Sequence, residues 1–333
     1  MLRNKKRTFV LFAGIAIIAT GCVVLLSCGG GGVTEPIPGL PISTQIVSHG
    51  KLPLWSPNGN KVAFGGEGAN TGIWVYDYTS GSVAQITDDS YPHLWDYSWS
   101  PNGDQIAFGG AGATIENKSG IFTVALNGSA PVRWHHTGSF PYWMPNDQGL
   151  IFAENDPESG TYGLFKLFFA DTSLVQLTNN GSEPKYNPSG SHIAFRYPGV
   201  SLAIPLRIIP AGGGSITTLA DTCLHFSWTA DGSELVFDYM RYGSDSGLRI
   251  CSVPAVGGAV SQIALRAGEP ALANTGRIAY QYVDSDLSYG IYVVNLDGSE
   301  NRQVAASGFQ PSISPDGTLV VYARSDGLWM VSP

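Results

Sequence analysis

One pentapeptide recurs along this chain at an almost constant interval, and that period constrains the fold more than any other feature. Trp55-Ser-Pro-Asn-Gly59 returns as Trp99-Ser-Pro-Asn-Gly103. Degenerate copies begin at Trp143, Tyr186, Trp228, Leu272 and Ile313. The spacings are 44, 44, 43, 42, 44 and 41 residues, too even over seven copies for chance. Each copy carries the same internal grammar. Pro often stands two residues before the aromatic, as at Pro53, Pro141, Pro184, Pro270 and Pro311. A short apolar run ending in an aromatic follows, such as Val62-Ala-Phe64 or Ile193-Ala-Phe195. A variable loop, a third apolar run, a tight turn such as Asn127-Gly128 and a fourth run complete the unit. Asn-Gly and Asp-Gly between apolar runs supply the positive φ that short hairpins need.

Four short antiparallel strands in about 42 residues form one propeller blade. A single blade cannot bury both faces, whereas a closed ring of blades does so and removes the sheet edges. The 292 residues from 42 to 333 hold seven such units, starting near 52, 96, 140, 183, 225, 269 and 310. The fold class expected is therefore all-β, a seven-bladed propeller; the degenerate Leu272 unit leaves six blades as the alternative. The last unit stops at Pro333 without a fourth strand. Ile42–Ser48 reads as that missing strand, supplied by the N-terminal end, and would close the ring. With 42 Gly and 21 Pro in 333 residues, a helical bundle is excluded.

The pattern carried by Trp55–Gly59, Val62–Phe64, Gly72–Asp77 and Gln85–Thr87 resembles the WD40-like repeat of TolB-type β-propellers. It covers about 290 of the 333 residues. The resemblance implies the propeller and is silent about chemistry. TolB itself has six blades and an additional N-terminal domain, so its role in envelope integrity does not carry over.

The N-terminal end reads as an address. Met1–Arg7 is basic and Thr8–Leu26 is almost unbroken apolar sequence, the plan of a secretory signal peptide. Leu25-Leu26-Ser27-Cys28 resembles the lipobox of bacterial lipoproteins, which implies cleavage after residue 27 and acylation of Cys28. Ala19-Thr20-Gly21-Cys22 is a competing site, and an uncleaved membrane helix the other alternative. Residues 28–41, rich in Gly and Pro, read as a flexible tether. The expected location is the bacterial envelope; by resemblance to enterobacterial lipoproteins, Gly rather than Asp at position 29 implies the outer membrane.

Without residues 1–27 the chain carries 14 basic against 26 acidic residues, which excludes nucleic acid as a partner. The long connections of every blade, from second to third strand and from blade to blade, emerge on one face. Recognition belongs there. The candidates on that face are Tyr91, His93, Trp95, Asp96, His135, Glu154, Tyr239, Arg241 and Asp284, an aromatic and acidic set suited to a peptide, a glycan or another envelope protein. No cofactor is expected. His135-His136 lacks a third metal ligand at motif spacing, and Asp284-Ser-Asp286 lacks a calcium-loop pattern. The runs Gly65–Gly68 and Gly109–Gly112 lack the Lys and helix of a phosphate loop, and no nucleophile elbow is present. Cys223 and Cys251 read equally as a disulfide or as two buried thiols. The reading is a non-enzymatic, lipid-anchored binding scaffold. The alternatives are a carbohydrate-active lyase or hydrolase with acids and histidines at the channel mouth, and a structural surface protein.

Overall fold

The structure is a computed structural model that describes residues 39–333, except 89–90, 92–95, 111–118, 157–159, 198–203, 243–245 and 284–288. The signal segment, Cys28 and most of the tether lie outside the described residues. Seven four-stranded antiparallel sheets follow one another along the chain. Blades 1 to 6 span 51–85, 97–135, 139–176, 182–220, 226–265 and 267–305. Blade 7 takes three strands from 309–331 and its fourth, Thr44–Val47, from the N-terminal end. First strands of neighbouring blades touch one another, so they form the inner wall. Fourth strands such as Val83–Gln85 are exposed and form the rim.

The core is divided among the blade interfaces. Each of the seven interfaces, including that between blades 7 and 1, holds its own buried apolar cluster. The aromatic that ends each second strand, Phe64, Phe108, Phe152, Phe195, Phe237, Tyr280 or Tyr322, is at most 1 % exposed. Burying such a ring stabilises the fold by about 1.5–3 kcal/mol. Second strands are apolar on both faces because each blade is covered on both sides.

The recurring pentapeptide does two jobs. Its Ser forms the turn from first to second strand: Ser56 Oγ accepts Lys61 N–H at 3.0 Å and donates to Asn58 Oδ1 at 2.7 Å. Gly59 completes that turn at φ +72°. In blade 3 Asp147 stands in the glycine's place at φ +58°. The motif tryptophan clamps blades together. Trp99 Nε1 donates to Leu54 O at 3.0 Å, Trp143 Nε1 to Ser98 O at 3.2 Å and Trp228 Nε1 to Lys185 O at 3.1 Å. Each bond reaches the same position in the preceding blade.

Closure follows the same local rules. Thr44 faces Met330 and Val47 faces Leu328 across the last pair. A Cβ on Gly327 would lie 2.2 Å from Val47 O, just as one on Gly72 would lie 2.1 Å from Thr87 O in blade 1. The N-terminal strand thus occupies in blade 7 the place the fourth strand holds in blade 1. Cys223 and Cys251 are both buried and free.

Candidate functional site at the channel mouth

Long connections emerge on one face, and there the first strands begin. The residue three positions before each motif aromatic forms a ring at that level: Leu52, Asp96, Phe140, Glu183, His225, Glu269 and Gln310. In the five blades where Pro follows, this residue is left-handed, with φ between +50° and +54°. The strand register shifts at the same place in those blades. A residue before Pro is barred from the right-handed helical region. The left-handed kink is the solution this chain uses. Blades 2 and 5 have Tyr97 and Phe226 instead of Pro and show no such shift.

The kink takes the backbone N–H out of the ladder, and in four of the five blades a side chain of the preceding blade accepts it. Gln310 Oε1 takes Leu52 N–H at 3.0 Å, Glu269 Oε2 takes Gln310 N–H at 2.9 Å, and Asp96 Oδ2 takes Phe140 N–H. Asp238 Oδ2 takes Glu269 N–H at 2.8 Å. Polar ring residues therefore stitch the blades at the mouth.

They also concentrate charge on blades 4 to 6. Glu183 Oε1 pairs with Arg196 Nη2 at 2.5 Å. Asp238, 1 % exposed, accepts His225 N–H at 2.7 Å and contacts His225 Nδ1 at 3.1 Å. The His225 side chain is 52 % exposed, so Nε2 is the nitrogen left for a ligand. Lys185, one step deeper, donates to Phe226 O at 2.6 Å, and burial lowers its pKa.

These groups feel one another. Burial pushes the Asp96 carboxyl up to about 7 against the Phe140 N–H, and the charge of Glu183 adds to the rise. Asp96 and Glu183 stand two blades apart, so that repulsion runs across the opening. Burial raises Glu269, opposed by His225 and by Gln310 N–H. For His225, desolvation by the surrounding walls of the mouth favours the neutral ring. The charge and hydrogen bond of Asp238, with Glu269 and Glu183, outweigh it and raise the pKa. Asp96, Glu183, Asp238 and Glu269 thus share the mouth with Arg196, Lys185 and His225. The arrangement offers both hydrogen-bond acceptors and donors, and with the Asp96 carboxyl held near 7 its charges largely offset one another.

Of the residues expected from sequence, Asp96 lies in this ring. Tyr91 is in the core, 7 % exposed, edge-on to Phe108 at 5.4 Å and Phe122 at 5.3 Å. His135 Nε2 meets Glu154 Oε2 at 3.0 Å, and Thr137 Oγ1 donates to the same oxygen at 2.8 Å. This second pair ties blade 2 to blade 3. Glu154, Tyr239 and Arg241 were expected on loops and lie on strands instead. The second strands of blades 3 and 5 run eight residues, Gly149–Asp156 and Glu234–Arg241, because pairing continues past the aromatic. Glu154 is 4 % exposed, Tyr239 stacks on Phe237 at 6.1 Å, and Arg241 is exposed. His93, Trp95 and Asp284 lie outside the described residues. The sequence reading missed Glu183, Arg196, His225, Asp238 and Glu269. The signal was present, since five of the seven expected unit starts are polar or charged residues of this ring.

Among the described residues no three or more His, Cys, Asp or Glu are arranged to hold a metal ion. No described helix is long and apolar enough to cross a membrane. No protein-family model matches the chain, and no curated protein matches it. Solved structures do resemble it. An oligogalacturonate lyase in complex with manganese superposes with a TM-score of 0.73 at 15 % identity, covering 90 % of this chain and 95 % of its own. An oligogalacturonate lyase from Vibrio parahaemolyticus gives 0.69 at 13 % identity, covering 87 % and 93 %. TolB from Acinetobacter baumannii gives 0.53 at 13 % identity, covering 82 % and 76 %. At these identities the likeness establishes the β-propeller fold alone.

Proposed function

We propose that this chain is a lipid-anchored envelope protein that binds a partner at its channel mouth and performs no catalysis. The observation that carries the reading is the convergence of Asp96, Glu183, Asp238 and Glu269 around His225 and Arg196 on the long-loop face. A rigid ring presenting fixed acceptors is suited to recognition. The mouth, with its charges paired, is suited to a polar segment of a protein, peptide or glycan. Met1–Cys28 supports export and acylation, and the likeness to TolB is consistent with an envelope setting. Thr44 pairs with Met330 near the short-turn end of blade 7.

One observation favours the enzymatic alternative: an exposed imidazole held by a buried carboxylate is a general acid–base pair. Affinity capture from the native membrane separates the readings. The lipidated wild-type protein is compared with a Glu183→Gln/Glu269→Gln variant. A partner captured by the wild type and lost in the variant supports recognition at the mouth. Equal capture by both moves the site elsewhere. Turnover of an oligosaccharide by the wild type, lost in His225→Ala, overturns the non-catalytic reading.

A further inference from the structure

The face opposite the mouth carries the turns between first and second strands. Where blades 7 and 1 meet, these turns leave a groove of about 620 Å³. Asn60, Thr79 and Thr318 are among the residues of its walls, and Tyr78 offers an aromatic ring that is 45 % exposed. Of the residues lining it, Asp316 alone is charged, and no Lys, Arg or His faces a ligand there.

Trp55 lies directly behind this lining. Its ring meets Tyr78 edge-on at 5.9 Å, and Leu319 of the groove packs against the cluster that contains it. In blades 2, 3 and 5 the motif indole N–H donates to the preceding blade. Trp55 is 6 % exposed, and its Nε1 has no acceptor among the described residues. A buried donor without a partner carries a standing desolvation cost that an incoming acceptor removes. This orphan sits at the interface where the two ends of the chain close the ring.

We propose that the groove between blades 7 and 1 binds a neutral saccharide, whose ring stacks on Tyr78 and whose hydroxyl oxygen accepts the Trp55 indole N–H. Stacking needs an exposed aromatic face, and amide and hydroxyl side chains answer sugar hydroxyls. The absence of a lining cation disfavours phosphate and carboxylate ligands. Tyr78 has to swing away from Trp55 for the oxygen to enter. The site does not depend on the mouth, and an occupant spanning blades 7 and 1 would stabilise the closed ring.

The test is calorimetric titration of the full chain with three neutral disaccharides: cellobiose, maltose and diacetylchitobiose. At least one binds with a Kd on the order of 1 mM or tighter. Tyr78→Ala weakens that binding by about tenfold, the effect of one lost contact. Trp55→Phe, which keeps the ring position and removes the N–H, weakens it by a similar factor, with folding checked by circular dichroism. Glu269→Gln at the mouth leaves it unchanged. Should Trp55→Phe fail to fold, exposed Tyr78→Ala decides alone. The proposal is overturned if none of the three sugars binds, or if Tyr78→Ala binds as the wild type does.

Discussion

Asp238 is the residue whose removal should most disturb the mouth. Its carboxylate is 1 % exposed and accepts two backbone donors, His225 N–H at 2.7 Å and Glu269 N–H at 2.8 Å. It also holds His225 Nδ1 at 3.1 Å. Asp238→Ala strands both backbone donors between blades 5 and 6. A buried donor left without its acceptor costs about 1–3 kcal/mol, and bonds to a charged acceptor lie toward the upper end. Two such donors give about 4 kcal/mol. The imidazole adds little, because its exposed side is already in water. Against a total stability of about 5–15 kcal/mol, the loss is a large fraction. Asp238→Asn keeps one acceptor oxygen and turns an NH2 group toward the second donor, so about half the loss remains. Urea unfolding followed by tryptophan fluorescence and far-ultraviolet dichroism measures both. His225→Ala is the control and should cost under about 1 kcal/mol. If Asp238→Ala costs less than about 1 kcal/mol, water replaces the carboxylate and the stitching argument fails.

Other consequences follow from the same geometry. Burial holds the Asp96 carboxyl near 7, so the folded protein keeps a proton that the unfolded chain releases near 3.8. Stability should fall as pH rises from about 4 to about 7 and then level off. Asp96→Asn, which keeps an acceptor for Phe140 N–H, should flatten that profile; a melting curve with the wild-type pH slope would refute the assignment. Asp147, at φ +58° where the other turns use Gly, should gain up to about 1 kcal/mol on replacement by Gly, read from the urea midpoint. A loss would show that its side chain contributes more than the strain. Gly327→Ala would place a Cβ 2.2 Å from Val47 O at φ +124°. It should destabilise the ring by more than about 2 kcal/mol and resemble Gly72→Ala; a neutral Gly327→Ala would mean that the N-terminal strand does not close blade 7.

The blades were legible because each strand's identity rests on local chemistry. The Ser-Pro-Asn-Gly turn, the glycine pressed against a carbonyl and the buried terminal aromatic recur in the chain as they do in space. The missing fourth strand was legible because a ring leaves no edge unpaired. The mouth was harder to read. Its residues sit at the starts of first strands and within second strands, not in the loops, and of them only Asp96 is among the residues the sequence pattern singles out. Glu183 and Glu269 each precede a Pro that was noticed as punctuation. That the residue before Pro turns left-handed and that, at Glu269, the freed N–H meets a side chain of the neighbouring blade follows only from tertiary contact. The repulsion between Asp96 and Glu183 likewise exists only once the ring is closed. Tyr91 misled for the opposite reason: an aromatic in a variable connection looks available, yet Phe108 and Phe122 bury it.

The central claim is that the envelope partner is recognised at the mouth. A photo-cross-linking amino acid placed at position 225, and separately at Asn102 in a turn of the opposite face, tests it in the native envelope. The account predicts one discrete cross-linked species from position 225 and none from position 102. A cross-link from position 102 alone, or the same species from both, would contradict it.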